Sequence, residues 1–222
     1  MSQILLVRHG QASWGSDDYD VLSPLGEEQS SVLGRALAGR GIQPSLVVRG
    51  SMRRHRQTAE RALAGAGWSA VEVVEDADWN EFDHVQMFAM HPSAYGEGEE
   101  MSRAEFQAWF HEAMARWAGG EYDADYDESF TAFGRRVDAA LRRTVERLGP
   151  RGTAVVFTSG GAISWLVTSL LGATPDIWTQ LNPVTVNSSV SKIVVGRRGA
   201  TLISFNDHSH LEGAREGFIT YR

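Results

Sequence analysis

The sequence predicts an α/β fold in which helices cover both faces of one mostly parallel sheet. Short apolar runs alternate along the chain with longer segments whose apolar residues recur at helical spacing. Polar turns, many with glycine or proline, separate these segments. With 222 residues, 42% of them hydrophobic, the chain is long enough to bury a sizeable core. Strands that alternate with helices in this way form parallel β-α-β units.

The first half of the chain contains three predicted strands and two helices. An apolar strand at residues 4–7 ends directly before Arg8. A helix begins at Ser23-Pro24, because serine is a good N-cap and proline fits the first helical position. The elements that follow are a strand at residues 46–48, a helix at 53–64 and a strand at 71–74.

The second half repeats the alternation after an irregular stretch. We interpret residues 1–222 as a single domain, in which residues 83–127 form a cap or insertion with a helix near 103–117. An amphipathic helix at 129–148, an apolar strand at 153–157 and a helix ending near 171 come next. Two β-rich segments, at 184–195 and 201–205, complete the prediction.

Composition excludes several classes of protein. The absence of cysteine rules out a disulfide scaffold, a thiolate nucleophile and a cysteine-ligated metal cluster. A net charge of −7 argues against a general binder of nucleic acid or of anionic membranes. The apolar run near the first residue is too short for a signal peptide, and we expect a cytoplasmic location.

Three polar segments are predicted to meet at one edge of the sheet. In sheets of this kind, ligands bind beyond the carboxyl ends of the strands. Residues 8–10 (Arg-His-Gly), 49–56 (rich in arginine) and 158–161 (Thr-Ser-Gly-Gly) follow three of the strands. Together they predict a basic pocket that suits a phosphate ester, although a solvated surface is the favoured interpretation for Arg49, Arg53 and Arg56.

The order of the motifs resembles one known family. The motifs are Arg8-His9-Gly10-Gln11-Ala12-Ser13, Leu22-Ser23-x-x-Gly26-x-x-Gln29, Gly50-Ser51-Met52-Arg53-Arg54-His55-Arg56-Gln57-Thr58-Ala59, Asn80-Glu81-Phe82, Glu128-Ser129, Arg136-Val137 and Phe205-Asn206-x-x-x-His210-Leu211. In this order they resemble the histidine phosphatase superfamily, which has the phosphoglycerate mutase-like fold. The resemblance covers residues 4–211 and implies a three-layer α/β/α sandwich with a mostly parallel central sheet.

The resemblance also implies a mechanism. His9 would attack phosphorus and form a phosphohistidine that water hydrolyses. Arg8 and Arg54 would clamp the phosphate, and Glu81 would be the proton donor. From the residues alone, Glu81 is also consistent with a surface carboxylate beside Asp83. The implied phosphate-binding set is Arg8, Arg54, Ser159, Gly160, Gln11 and His55.

Two positions depart from the family pattern. Ser159 stands where the family usually has a second histidine, so the site lacks a cationic donor there. This loss should lower the rate on the order of 10²–10³-fold unless another group compensates. His55, His84 and His210 are the candidates to compensate, and otherwise Ser159→His should raise the rate. The second departure is Gly15, where many members have an asparagine.

No metal or cofactor is expected. His208 and His210 share a face if they lie in a strand, but no third ligand is evident in the sequence. The position of His210 fits the C-terminal motif of the family instead.

The favoured function is that of a histidine-type acid phosphatase, which hydrolyses small phosphate monoesters through a phosphohistidine. Phosphoglycerate mutase-type phosphotransfer is an alternative, but residues 83–127 contain no lysine for the substrate contacts of a mutase. A catalytically weak relative that binds a phosphorylated ligand or a partner protein is the other alternative.

The substrate and the oligomeric state are less well defined by the sequence. One set of residues suggests an apolar leaving-group pocket but is also consistent with burial against the sheet: Trp79, His84, Met87, Met90 and Tyr95. The helical aromatic residues Trp109, Phe110 and Trp117 are open to the same two interpretations. An edge strand near residues 190–195 would either pair in a homodimer or be covered.

Overall fold

The computed structural model describes residues 1–13, 19–92, 102–213 and 216–221. These residues form a six-stranded sheet with helices on both faces. The strands are β1 (Ser2–Arg8), β2 (Leu46–Arg49), β3 (Val73–Glu75), β4 (Thr153–Thr158), β5 (Val190–Gly196) and β6 (Gly199–Asp207). The helices are α1 (Pro24–Gly39), α2 (Arg53–Ala66), α3 (His84–Ala89), α4 (Arg103–Ala118), α5 (Phe130–Leu148), α6 (Gly160–Leu170) and α7 (Pro175–Leu181).

The strand order is β3-β2-β4-β1-β5-β6. The first four strands are parallel, whereas β5 and β6 are antiparallel to their neighbours. The prediction of a mostly parallel sheet is therefore confirmed. Arg8 pairs with Thr158 across β1 and β4, and Arg49 pairs with Phe157 across β2 and β4. The carboxyl ends of these three strands consequently lie at one edge.

Alternating side chains of the strands divide the core into two layers. Ile4 and Leu6 of β1 pack into the larger cluster, under α5 and α6. Leu5 and Val7 point to the opposite face, under α1 and α2. This alternation on a strand buried on both sides gives the predicted three-layer arrangement.

The predicted start of α1 is confirmed. Ser23 precedes Pro24 with extended backbone, and its Oγ accepts a hydrogen bond at 3.1 Å from the N–H of Gly26. The first turn of α1 also lies against the loop that follows β1, since a Cβ on Gly10 would come within 2.3 Å of the carbonyl oxygen of Gly26. Only glycine permits this close approach, which fixes the loop after β1.

Two predictions for the C-terminal part of the chain were wrong. The β-rich segment predicted at 184–195 becomes a strand only at Val190, because a 3₁₀ turn covers Asn182–Val184 and Ser188 has a φ of 60°. The predicted edge strand at 190–195 is not an edge either. It corresponds to β5, which lies between β1 and β6.

The region predicted as a cap contributes α3 and α4, while residues 93–101 lie outside the described residues. Helix α3 has six residues and α7 has seven, too short for a clear helical repeat, and neither was predicted. Within the described part of the chain, the helices lack the length and apolar character needed to cross a bilayer.

Candidate active site

Four of the predicted site residues lie together at the carboxyl edge of the sheet. Arg8 ends β1, His9 follows it, Arg54 lies in the first turn of α2, and Glu81 lies in the loop before α3. Among the described residues, all four line one pocket, together with Tyr19, Phe82, His84, Phe88, Phe106, Phe110, Asn182, Pro183 and Tyr221.

His9 is held as a neutral imidazole with one nitrogen directed away from the backbone. It is 4% exposed, and its Nδ1 lies 2.7 Å from the carbonyl oxygen of Gly10. A carbonyl can only accept, so Nδ1 carries the proton and the lone pair is on Nε2. Burial holds the pKa of His9 well below 6.5, and the positive charges of Arg54 and Arg8 lower it further.

Two guanidinium groups form the basic part of the pocket. Arg8 donates a hydrogen bond to the carbonyl oxygen of Thr185. Arg54 is 4% exposed, and its Nη1 lies 2.8 Å from Oδ1 of Asp20. The Nε of Arg54 is buried without a hydrogen-bond partner among the described residues. The guanidinium groups of Arg8 and Arg54 suit a dianionic phosphate, because guanidinium donors bind planar sets of oxygens.

Glu81 is a pocket carboxyl and not a surface carboxylate. Its Oε2 accepts a hydrogen bond at 3.1 Å from the N–H of Gly161, at the start of α6. Burial raises the pKa of Glu81 above 4.5, although this hydrogen bond and the nearby Arg54 and Arg8 act in the opposite direction. A carboxyl with a raised pKa can carry a proton in mildly acidic solution.

The loop that carries Glu81 is anchored by an arginine of α5. Arg136 forms a bidentate ion pair with Glu128, with both N–O distances 2.7 Å. Its Nη1 also donates to the carbonyl oxygens of Asp78 and Asn80, each at 3.0 Å. The motif residues Glu128 and Arg136 therefore fix the turn immediately before Glu81.

Ser159 and His55 form a buried pair beside His9. Both are 0% exposed, and Nε2 of His55 lies 2.6 Å from Oγ of Ser159. The rings of His55 and His9 have centroids 5.7 Å apart. Burial holds the pKa of His55 well below 6.5, with smaller contributions from Arg54 and Arg49. A second imidazole is therefore present beside His9, but it comes from α2.

Gly50 makes room for the His55 ring. A Cβ on Gly50 would lie 2.2 Å from Nδ1 of His55 and 2.6 Å from Oδ1 of Asn80. No side chain other than hydrogen fits there without displacing the imidazole. Gly50 and Ser159 both contact His55, although Ser159 is 104 residues away from it in the sequence.

His84 and His210, the other two candidates to replace the cationic donor missing at position 159, lie in different parts of the structure. His84 lines the pocket, and burial followed by the charge of Arg54 lowers its pKa. His210 follows β6 outside the described lining of the pocket, and burial lowers its pKa to about 4. Of the three histidines, His55 is the one that lies within hydrogen-bonding distance of the Ser159 hydroxyl.

Some predicted phosphate-binding residues lie behind the pocket and not in its described lining. His55, Ser159, Gly160 and Gln11 belong to this group. The side-chain carbonyl of Gln11 accepts a hydrogen bond at 2.8 Å from Ser23. A Cβ on Gly160 would contact Nε of Arg8 at 3.4 Å, so this glycine packs against the arginine.

The arginines around the start of α2 do not all belong to the site. Arg49 pairs with Glu75 at 2.7 Å, outside the described lining. Arg56 is exposed, with Glu60 at 3.8 Å. Arg53 is also exposed. The interpretation as a solvated surface fits Arg53 and Arg56, whereas the Arg49 side chain is only 18% exposed.

The aromatic part of the pocket differs from the sequence prediction. Of the residues left open between pocket and core, His84 and Phe110 line the pocket, Trp79, Met87 and Trp117 are buried in the core, and Met90 is 38% exposed. Several lining residues were not predicted from the sequence: Tyr19, Phe82, Phe88, Phe106, Asn182, Pro183 and Tyr221. The predictions for Tyr95 and Gly15 concern positions outside the described residues.

The histidine pair near the C-terminus does not form a metal site in the described part of the chain. His208 and His210 follow the last residue of β6, so they are not strand neighbours on one face. Nδ1 of His208 lies 2.7 Å from the carbonyl oxygen of Asn206. No group of three or more potential ligands occurs among the described residues.

This fold and this arrangement of histidine, arginines and carboxyl define a class of phosphate-handling proteins. The model of the histidine phosphatase superfamily (branch 1) matches residues 4–208. The chain therefore belongs to the histidine phosphatase superfamily, and the recognition from sequence motifs is confirmed.

Individual curated relatives match only part of this chain at low sequence identity. Over 87 residues, the chain is 32% identical to the 2,3-bisphosphoglycerate-dependent phosphoglycerate mutase of Chelativorans sp., covering 36% of this chain and 42% of that protein. The chain thus spans about two fifths of the length of the first curated relatives it matches.

Solved structures match over nearly the whole chain. Bacillus stearothermophilus YhfR has a TM-score of 0.71 at 19% identity, covering 95% of this chain and 99% of that one. A phosphoserine phosphatase variant from Entamoeba histolytica, in complex with phosphoserine, has a TM-score of 0.67 at 20% identity, covering 95% and 100%. At these identities the likeness establishes the fold, which is phosphoglycerate mutase-like as predicted.

Proposed function

We propose that the protein is a phosphatase that hydrolyses small phosphate monoesters through a phosphohistidine at His9. The observation that carries this proposal is the tautomer of His9. Its Nδ1–H is committed to the carbonyl oxygen of Gly10 at 2.7 Å, which leaves a nucleophilic Nε2 in a pocket with Arg8 and Arg54.

In the first step, Nε2 of His9 attacks phosphorus and the bond from phosphorus to the ester oxygen breaks. The leaving oxygen takes a proton from the carboxyl group of Glu81, so an alcohol departs and Glu81 becomes a carboxylate. Arg8 and Arg54 bind the oxygens of the transferring group and stabilise the charge they carry. The raised pKa of Glu81 supports this role as the acid.

In the second step, the carboxylate of Glu81 takes a proton from water while the water oxygen attacks phosphorus. The bond between phosphorus and Nε2 breaks, which releases inorganic phosphate and restores neutral His9 and protonated Glu81. Overall, one ester and one water give one alcohol and one phosphate. The low pKa of His9 makes its imidazole a good leaving group as well as an available nucleophile.

Phosphatase chemistry is favoured over mutase chemistry by the charge of the pocket. Arg8 and Arg54 are the only lysine or arginine side chains in its described lining, and residues 83–127 contain no lysine. A mutase must hold a carboxylate-bearing intermediate during a second transfer, and a pocket with these two cations provides little for that carboxylate.

The test is release of inorganic phosphate from a panel of sugar phosphates, phosphoglycerates, nucleotides and aryl phosphates, with and without EDTA. We expect EDTA-insensitive hydrolysis that His9→Ala abolishes and His111→Ala preserves, since His111 is an exposed histidine of α4. Efficient, primer-dependent interconversion of 2- and 3-phosphoglycerate would support a mutase instead. Tight vanadate binding without turnover on any ester would support a binding protein.

A further inference from the structure

The active-site pocket has an aromatic wall in addition to its arginines. We use this name for Phe82, Phe88, Phe106 and Phe110, which all line the pocket. Phe106 and Phe110 are four residues apart on α4 and therefore share one face of that helix. The ring of Phe88 on α3 lies 5.5 Å from that of Phe110, and Phe106 lies 6.1 Å from Phe110.

The aromatic wall is supported from behind. Phe88 stacks on Trp109 with ring centroids 4.6 Å apart. The indole Nε1 of Trp109 donates a hydrogen bond at 2.9 Å to the carbonyl oxygen of His91. On the other side, Phe82 packs on the buried Trp117 at 4.8 Å. Because each of these rings has a packed partner, the wall presents a preformed apolar surface to the pocket.

The described lining offers no cation to a leaving group. Its only lysine or arginine side chains are Arg8 and Arg54, which flank His9 at the phosphate end. His84 also lines the pocket, but burial and Arg54 lower its pKa, so it is neutral near pH 7. A carboxylate on the leaving group would therefore be desolvated against the aromatic wall without a cationic partner among the described lining residues, which is costly.

We propose that the substrates are phosphate monoesters of uncharged, apolar alcohols, whose ring or alkyl chain packs against the aromatic wall. The inference depends on the proposed phosphatase function and adds the class of leaving group. Esters whose leaving group carries a carboxylate are disfavoured, because they would lose water from that group and gain no counter-ion from the described lining.

A matched pair of esters tests the inference in the intact protein. We expect kcat/KM for butyl phosphate to exceed, by at least about tenfold, that for the analogue with a carboxylate at the end of the chain. From ethyl to hexyl phosphate, kcat/KM should rise by up to about fourfold per methylene. Equal values for the pair, or a preference for the carboxylate, would overturn the inference.

A charge placed in the aromatic wall should shift the preference toward the ester with the carboxylate. Phe110→Arg supplies a counter-ion where the carboxylate would lie, so the ratio of kcat/KM for the two esters should shift by about tenfold or more toward the carboxylate. Val85→Arg adds the same charge at a position that is 67% exposed and should leave the ratio unchanged. Phe106→Arg is a second variant in case Phe110→Arg does not fold, as judged by its melting curve. A folded wall variant with the wild-type ratio would contradict the inference.

The outcomes separate this inference from the proposed function. Hydrolysis that depends on His9 but favours the carboxylate overturns the choice of leaving group and leaves the phosphatase intact. Absence of hydrolysis of every ester, or hydrolysis unchanged in His9→Ala, overturns the proposed function and this inference with it.

Discussion

Nε2 of His55 lies 2.6 Å from Oγ of Ser159, and both side chains are fully buried beside His9. A histidine at position 159 would therefore point into space that the His55 ring already occupies. The serine and the histidine complement each other in volume and in hydrogen bonding. The sequence expectation that Ser159→His raises the rate must be revised accordingly.

We predict that Ser159→His lowers both stability and activity. Two imidazoles in a space packed for one imidazole and one hydroxyl should cost about 1–3 kcal/mol of unfolding free energy. His55→Ala should also lower activity, because it removes the partner of the Ser159 hydroxyl. The double variant, Ser159→His with His55→Ala, should recover part of the loss in stability and activity.

The measurement is a double-mutant cycle on urea unfolding and on kcat/KM with an aryl phosphate. The coupling free energy between the two positions should be well above the error for both quantities. If Ser159→His alone raises activity, then Ser159 merely lacks the cationic donor that a histidine supplies, and His55 does not replace that donor. Additive effects of the two substitutions would likewise show that the two side chains act independently.

The pH dependence should reveal the proton carried by Glu81. The pKa of His9 lies well below 6.5. As pH rises, the imidazole therefore loses its proton and becomes nucleophilic while the solution is still acidic. Glu81 must be protonated to act as an acid, and burial raises its pKa above 4.5. The kcat/KM for an alkyl phosphate should therefore fall as pH rises through this raised pKa of Glu81. The maximum therefore lies between the pKa of His9 and the raised pKa of Glu81.

An ester with a good leaving group provides the control for this prediction. A nitrophenyl phosphate needs no proton on its leaving oxygen, so its kcat/KM should lack the falling limb. Glu81→Gln should lower kcat/KM for the alkyl ester by about 10²–10⁴-fold and affect the nitrophenyl ester much less. Identical pH profiles for the two esters would contradict the role of Glu81.

Gly161→Ala should disturb Glu81 without changing its chemical identity. The new Cβ would lie 2.2 Å from Oε1 of Glu81 and 2.9 Å from the ring of Phe82, so the carboxyl must move. We expect the alkyl ester to lose more activity than the nitrophenyl ester, as in Glu81→Gln. Gly39→Ala is the matched control, since no atom lies within 4 Å of its Cβ. Full activity of folded Gly161→Ala on both esters would show that the position of Glu81 is not critical.

The phosphate end of the site could be predicted from the sequence because its residues are tied to the sheet. Arg8 ends and His9 follows a strand whose apolar pattern is clear, and Arg54 lies in the first turn of a regular helix. Their convergence at one edge is a consequence of parallel strand pairing. Each of these positions follows from a local strand or helix pattern and from the rule that parallel strands place their carboxyl ends at one edge of the sheet.

The leaving-group end could not be predicted in the same way. Tyr19 and Tyr221 are distant in sequence and meet in the pocket only through the tertiary fold. Trp79 and Met87 carry the same aromatic or apolar character as Phe88, yet they face the core, and no periodicity in these short segments distinguishes the two directions. The pairing of His55 with Ser159 is likewise a contact between two elements 104 residues apart.

In the proposed mechanism His9 carries the phosphoryl group during turnover, and this phosphohistidine can be trapped. Protein mixed with a nitrophenyl phosphate, quenched in alkali and digested for mass spectrometry should show one phosphoryl group on the peptide that contains His9. The modification should disappear in acid, increase in Glu81→Gln because water is no longer activated, and be absent from His9→Ala but present in His111→Ala. A phosphoryl group on another residue, or turnover that persists in His9→Ala, would contradict the account.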